Sequence, residues 1–248
     1  MRHALLSLVA VLGLSACAVQ PPVPAPSPPN KGPIPTIAPG PGTVPDRLDG
    51  RTAVRNFVQV IGDVEPVAER VCRARAPQFN CDFLIVVDDT VNAPPNAFQT
   101  VDDAGRPVIA FTVPLIAEAR NRDELAFILA HEASHHIEGH LDRQRRNAQI
   151  GASILGTIAG QGGNADTIRT AQEIGAAIGA RTYSKDFELE ADALGARIAL
   201  MSGYDPLIGA EFFTRIPDPG NRFLGTHPAN ADRVATVRNV VLGRAASG

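Results

Sequence analysis

The stretch that most limits what this chain can become is Leu125-Ala-Phe-Ile-Leu-Ala-His131-Glu132-Ala-Ser-His135. Apolar Leu125, Phe127, Ile128 and Leu129 lead straight into two histidines, so the segment reads as a buried helix carrying polar groups at its far end. Asp123 and Glu124 supply the acidic first turn that a helix start prefers. His131 and His135 are four residues apart. On a helix they project from one face, one turn apart, as two imidazole ligands of a single ion must. Glu132 lies next to that face, where a carboxylate can hold a water and take its proton.

This is the H-E-x-x-H pattern, in which a zinc ion lowers the pKa of a water towards about 7. With 248 residues, 44% hydrophobic and 20% charged, the chain has room for one globular domain plus appendages. Its formal net charge of −3 offers no basic footprint, which argues against nucleic acid as a partner.

The first residues are of another kind. Arg2 and His3 precede an apolar run from Ala4 to Leu14 that is too short for a stable membrane span and reads as a secretory signal. Small residues before Cys17 resemble the lipobox of bacterial lipoproteins, in which the cysteine is acylated. Residues 1–17 are then the signal with its lipidation site, and Ala18 implies sorting to the outer membrane, with the domain facing the periplasm. Residues 18–45 are rich in proline, which excludes a helix or central strand and favours an extended tether. The folded domain is expected over 46–248. Setting Cys17 aside leaves Cys72 and Cys81, an even pair in a compartment that permits disulfides. A bridge and two separate buried thiols both fit this pair.

Helical spacing of Val54, Phe57, Val58, Ile61, Val64, Val67, Ala68 and Val71 predicts one or two helices over 49–75, with a break near Gly62 to Pro66. Phe83 to Val87 reads as a buried strand. Asn96–Thr100 and Val108–Thr112, flanking Asp102 to Gly105, form a hairpin signal. Residues 148–180 are rich in Ala, Gly and Ile and are interrupted by Gln161-Gly-Gly-Asn164. Small residues at four-residue spacing there predict a close-packed helical hairpin, or alternatively a surface for self-association or membrane contact.

A catalytic zinc normally takes three protein ligands and keeps one position open. The metzincin route needs Gly and His where this chain has Glu138 and Leu141. Phe187-Glu188-Leu-Glu190-Ala191-Asp192 offers a better third ligand. Glu188 and Asp192 share a helical face with small Ala191 alongside, and Glu190 points away as a solvated charge or a substitute ligand. On a straight helix His136 lies about 100° from His135, and His140 lies nearly opposite His131, so neither is expected on the same ion; each is read as a histidine favourable to the dipole near a helix end, or as one packed behind the ligands.

The chain resembles the gluzincin metallopeptidases that include the HtpX heat-shock protease and the CAAX prenyl endopeptidase, and among them the short bacterial outer-membrane lipoproteins. The resemblance spans about Gly50 to Val241. It rests on Asn96-Ala97-Phe98, His131-Glu132-Ala-Ser-His135 with His140, Glu188-Leu-Glu-Ala191-Asp192, and Thr226-His227-Pro228 with Arg233. It implies an α+β, mainly α, zincin-like domain with a small sheet and one zinc per chain. His131, His135 and Glu188 would be the ligands and Glu132 the general base, with Asp192 accepting the other ring N–H of a ligand histidine. His227 would stand near the metal, on the oxyanion or in the open position. Asn96, Ala97 and Phe98 would form an edge strand to which an extended, unfolded substrate adds. The implied activity is endopeptidase cleavage of unfolded or misfolded envelope proteins. The alternative is a zinc-binding but proteolytically silent chaperone or adaptor. Membrane-embedded relatives carry transmembrane helices between the two zinc motifs, where this chain has only the 148–180 segment.

Overall fold

The computed structural model describes residues 48–182, 184–218 and 227–243. The signal, Cys17, the tether and Thr226 lie outside the described residues. Within them the fold is mainly helical with one small sheet, the α+β arrangement the resemblance implies.

The first helix, α1 (Gly50–Arg75), starts where the Asp49 carboxylate accepts the Arg51 and Thr52 amides. It runs unbroken through Pro66, so the expected break is absent. Phe57, Val60, Val64, Val67, Ala68 and Cys72 make one continuous buried face across the proline. Burial of that face outweighs the roughly 3 kcal/mol a proline costs a helix interior. Cys72, in the last turn, is bridged to Cys81, with Cα atoms 5.7 Å apart. The bridge ties the end of α1 to the segment entering the sheet, and a loop this short is worth about 2–3 kcal/mol to the fold.

The sheet has the order β1-β3-β2. Its strands are β1 (Leu84–Asp88), β2 (Ala97–Val101) and β3 (Pro107–Thr112). β2 and β3 form the expected antiparallel hairpin, and β1 runs parallel to β3. The run from Phe83 reads as buried by its β-branched composition, but β1 is an outer strand whose residues are half-buried or exposed. Phe83, just before it, is the buried residue. β3 holds the centre, with Ile109 and Phe111 fully buried.

Helix α2 (Val113–Glu118) follows the Thr112 cap, and α3 (Arg122–Ile137) begins at Asn121, whose side chain accepts the Glu124 amide. Leu125, Ala126, Phe127, Leu129 and Ala130 are all buried, so α3 is the axis of the core. Around it pack α1, α6 (Ser184–Met201), α7 (Pro206–Ala210) and the edge of β2, while α8 (Asn230–Val241) lies against α6. Between α3 and α6 in the chain stands a helical hairpin, α4 (His140–Ala159) and α5 (Ala165–Thr182), in agreement with the reading of 148–180. Among the described residues, no helix is long and apolar enough to cross a membrane.

Candidate metal centre

Two helices meet at this site because one of them is small there. A Cβ added at Gly195 of α6 would lie 2.9 Å from the His131 backbone nitrogen, so only glycine lets the helices approach this closely. Ala191, one turn earlier, is also fully buried. The approach brings Glu188 and Asp192 of α6 against the histidine face of α3.

His131, His135 and Glu188 can each offer a ligand atom within 4.8 Å of the others. The two Nε2 atoms are 3.0 Å apart; Glu188 Oε2 lies 3.5 Å from that of His131 and Glu188 Oε1 lies 3.5 Å from that of His135. Donors about 2.0–2.1 Å from a tetrahedral ion stand about 3.3–3.4 Å apart, so these three suit zinc in number, type and spacing. The electrostatics favour a cation as well. Burial opposes a charged His131, but Asp192 and Glu188 outweigh it and raise its pKa to about 9. Burial, reinforced by His131, pushes His135 down to about 3 and keeps it neutral. Burial also opposes the Glu188 charge, yet His131 and His227 hold its carboxyl well below the usual range.

The His131 Nδ1 stands 2.9 Å from Asp192 Oδ1. Asp192 is fully buried, and Arg233 of α8 grips it at both oxygens, at 2.7 and 2.6 Å. Against the cost of burial, Arg233 and His131 keep the Asp192 carboxyl below its ordinary range. The Arg233 guanidinium also lies 3.7 Å from the Phe213 ring centroid and 3.6 Å from Glu188. Burial works against its charge, but Asp192, Glu188 and Glu132 raise its pKa. Arg233 belongs to the sequence pattern, but its grip on Asp192 depends on how α8 packs and has no local sequence signal.

Glu132 is half-buried beside His131. His227 comes from the segment before α8, about half exposed, with Nδ1 3.4 Å from Glu188 Oε2. Asn96 pairs its backbone with Thr112, and the register from there to Asp102–Arg106 turns the even-numbered residues of β2 towards β3. Ala97, Gln99 and Val101 consequently turn their backbone N–H and C=O groups to the outer edge. Gln99, Val101 and His135 share the lining of a cavity of about 290 Å³.

One expectation changes. His140 does not lie opposite the site: its Nδ1 is 2.8 Å from the His135 Nδ1. The straight-helix geometry fails because α3 ends at Ile137 and Gly139, at φ 66°, turns the chain so that α4 starts anew at His140. Glu190 is exposed, as a solvated charge should be, but it also meets His140 Nε2 at 3.0 Å and Arg143 through both its oxygens. It does not stand among the clustered donors as a substitute ligand. The Glu138-Gly139 pair, a helix-stop signal, could have pointed to the turn. His136, by contrast, packs away from the cluster, between Phe79 and Phe83, with Nε2 2.7 Å from the Asn80 carbonyl.

Part of the chain is similar to known proteins. The beta-barrel assembly-enhancing protease of Yersinia pestis is 32% identical over an alignment of 138 residues that covers 48% of this chain and 27% of that protein. The protein of the same name from Escherichia coli (strain K12) is 30% identical over an alignment of 135 residues that again covers 48% of this chain and 27% of the relative. The matched part thus spans about a quarter of the length of these curated relatives. Residues 59–241, which contain both helical motifs and the Arg233 clamp, match the profile of Peptidase family M48. By that match, which covers most of its length, the chain belongs to peptidase family M48, a family of metallopeptidases.

Proposed function

We propose that this chain is a zinc-dependent endopeptidase that cleaves unfolded or misfolded proteins of the cell envelope. The observation that carries the proposal is the convergence of His131, His135 and Glu188 on one point, with Glu132 alongside. Held by these three residues, a zinc ion would supply Lewis-acid polarisation of a carbonyl and a more acidic water. The remaining work falls to the chain. Glu132 takes the proton of the attacking water and returns it to the leaving amine. His227, beside Glu188, donates a hydrogen bond to the oxyanion as charge develops. Asp192, held by Arg233, fixes the His131 ring. The outer edge of β2, with Asn96, Ala97 and Phe98 at its start, takes the substrate backbone as an added strand, so recognition favours extended chains over particular side chains.

The envelope setting is supported by the apolar run before Cys17 and by the relatives, which are named for enhancing β-barrel assembly. In this proposal Cys17 is lipidated, residues 18–45 are the spacer, and residues 46–248 work at the periplasmic face of the outer membrane. The test is casein cleavage by the purified full-length chain beside Glu132→Gln, with bound zinc quantified in both. The expected outcome is one zinc per chain in each and cleavage by the wild type alone, at least 100-fold above the variant. Bound zinc with no cleavage by either would favour a silent chaperone or adaptor. Cleavage retained in Glu132→Gln would remove that residue from its role, and absence of zinc would end the metallopeptidase reading.

A further inference from the structure

His140 and Glu190 lie outside the three metal-donor residues, yet their geometry leads back to one of them. His135 meets the cluster through Nε2, which is 3.0 Å from the His131 Nε2. Its other nitrogen, Nδ1, faces the Nδ1 of His140 at 2.8 Å. His140 in turn faces Glu190 Oε2 through its own Nε2 at 3.0 Å, and Arg143 bonds the same carboxylate. The four groups form a continuous line from the cluster towards the base of α4.

Hydrogen-bond chemistry gives this line one direction. The Glu190 carboxylate, paired with an arginine, only accepts, so the His140 Nε2 carries the proton and donates it. The His140 Nδ1 is then a bare lone pair and can only accept. The proton between the two rings therefore belongs to the His135 Nδ1, which leaves the His135 Nε2 lone pair free to face the cluster. In the reverse tautomer a proton on the His135 Nε2 would block a cation, and the His140 Nε2 lone pair would face a carboxylate.

The His140 ring is also held in place. His140 is buried and stacks on Phe187 with 4.7 Å between centroids and 10° between planes. The Arg143 guanidinium lies 4.3 Å from the centroid of the same Phe187 ring. Phe187 directly precedes Glu188, so the residue that clamps His140 sits beside the one that joins His135 in the cluster.

We propose that His140 and Glu190, steadied by Arg143, are positioning residues that set the ring orientation and tautomer of His135 for metal binding. The inference rests on the reading of His135 as a metal ligand. It gives the two histidines of the motif separate supports: Asp192 and Arg233 act on His131 directly, whereas Glu190 and Arg143 act on His135 through an interposed imidazole.

The test measures zinc affinity of the full-length chain by competition with a chromophoric chelator, for the wild type, His140→Leu, His140→Asn and Glu190→Ala. His140→Leu is expected to weaken zinc binding about 10- to 100-fold, the range seen when a hydrogen-bond partner behind a ligand histidine is lost. The Asn carbonyl can take the place of the imidazole Nδ1 as acceptor, so His140→Asn should recover part of that loss. A merely packing role predicts no such rescue. Glu190→Ala, which removes a side chain that is 42% exposed, should weaken binding several-fold while leaving the unfolding midpoint of the zinc-free chain close to that of the wild type. If His140→Leu does not fold, Glu190→Ala decides. Nitrogen-15 NMR of the imidazoles in the zinc-loaded wild type should place the proton of His140 on Nε2.

A proton on the His140 Nδ1, or unchanged affinity in Glu190→Ala, would overturn the inference while leaving the metallopeptidase reading intact. A wild type that binds no zinc would remove both.

Discussion

The α3–α6 pair and the α4–α5 pair use the same packing device to opposite ends. In each, glycine lets two helices approach to backbone contact: Gly195 lies on the His131 backbone, while added Cβ atoms at Gly151 and Gly175 would each overlap the other's carbonyl oxygen. Around α3 and α6, further elements complete the burial. α1, α7 and α8 cover the outer faces, and Ala126, Ala130, Ala196 and Ile198 are sealed from water. Among the described residues little is added around the hairpin, and Ile150, Ile154, Ile158, Ile174 and Ile178 are 43–61% exposed. Small residues therefore decide how closely helices approach, whereas the covering elements decide whether the crossing becomes a water-poor site where charges interact strongly.

The sharpest way to break this comparison is through the ion pair in each half. Asp192→Ala takes from the buried Arg233 guanidinium its two-pronged carboxylate partner and leaves it only the more distant Glu188, and removing one member of a buried pair costs about 3–5 kcal/mol. Unfolding in denaturant should report that loss, and zinc affinity should fall 10- to 100-fold as His131 loses its support. The hairpin's Asp166–Arg169 pair is exposed at both ends, and Asp166→Ala should leave the same unfolding curve unmoved. Equal effects from the two substitutions would mean that burial does not distinguish the halves.

Glycine substitutions come next in size. Gly195→Ala and Gly151→Ala each force a methyl against backbone, and overpacking of this kind costs about 1–3 kcal/mol. Their functional outcomes should diverge. Gly195→Ala pushes α6 off α3 and carries Glu188 and Asp192 with it, so zinc affinity should drop at least tenfold. Gly151→Ala spreads the hairpin and should leave zinc affinity within about twofold of wild type, because sites without shared partners behave additively. A zinc affinity that falls equally in both would show that hairpin closure and cluster geometry are one cooperative unit.

How much of this was legible in the sequence follows from the range of the forces involved. His131 with His135, and Glu188 with Asp192, were readable because helical periodicity places residues four apart on one face whatever the surroundings. The β2–β3 hairpin was readable from its turn residues. Expectations failed where a local rule met a neighbouring or distant partner. Pro66 looked like a break because propensity is local, while the α1 face that keeps the helix continuous packs on α3. Phe83 to Val87 looked buried because β-branched composition does not reveal strand order, and β3 took the centre. His140 was misplaced because the left-handed Gly139 interrupts a helix that straight-line geometry continued, and the same turn brings His140 within reach of the exposed Glu190.

The smallest effect belongs to the outer face of the hairpin. Ile150, Ile154 and Ile158 recur every four residues on α4, so they form a stripe, and all three are more than half exposed. Residues that bury little apolar area contribute little to folding, and exposed substitutions away from special features stay within about 0.5 kcal/mol. Replacing Ile154 and Ile158 together by serine should accordingly leave thermal unfolding and zinc affinity at wild-type values. The same double variant should be compared at low and high protein concentration. A wild type whose unfolding midpoint rises with concentration, beside a variant whose midpoint does not, would mean that a second copy covers the stripe. The two helix pairs would then differ only in whether the cover comes from the same chain or from another.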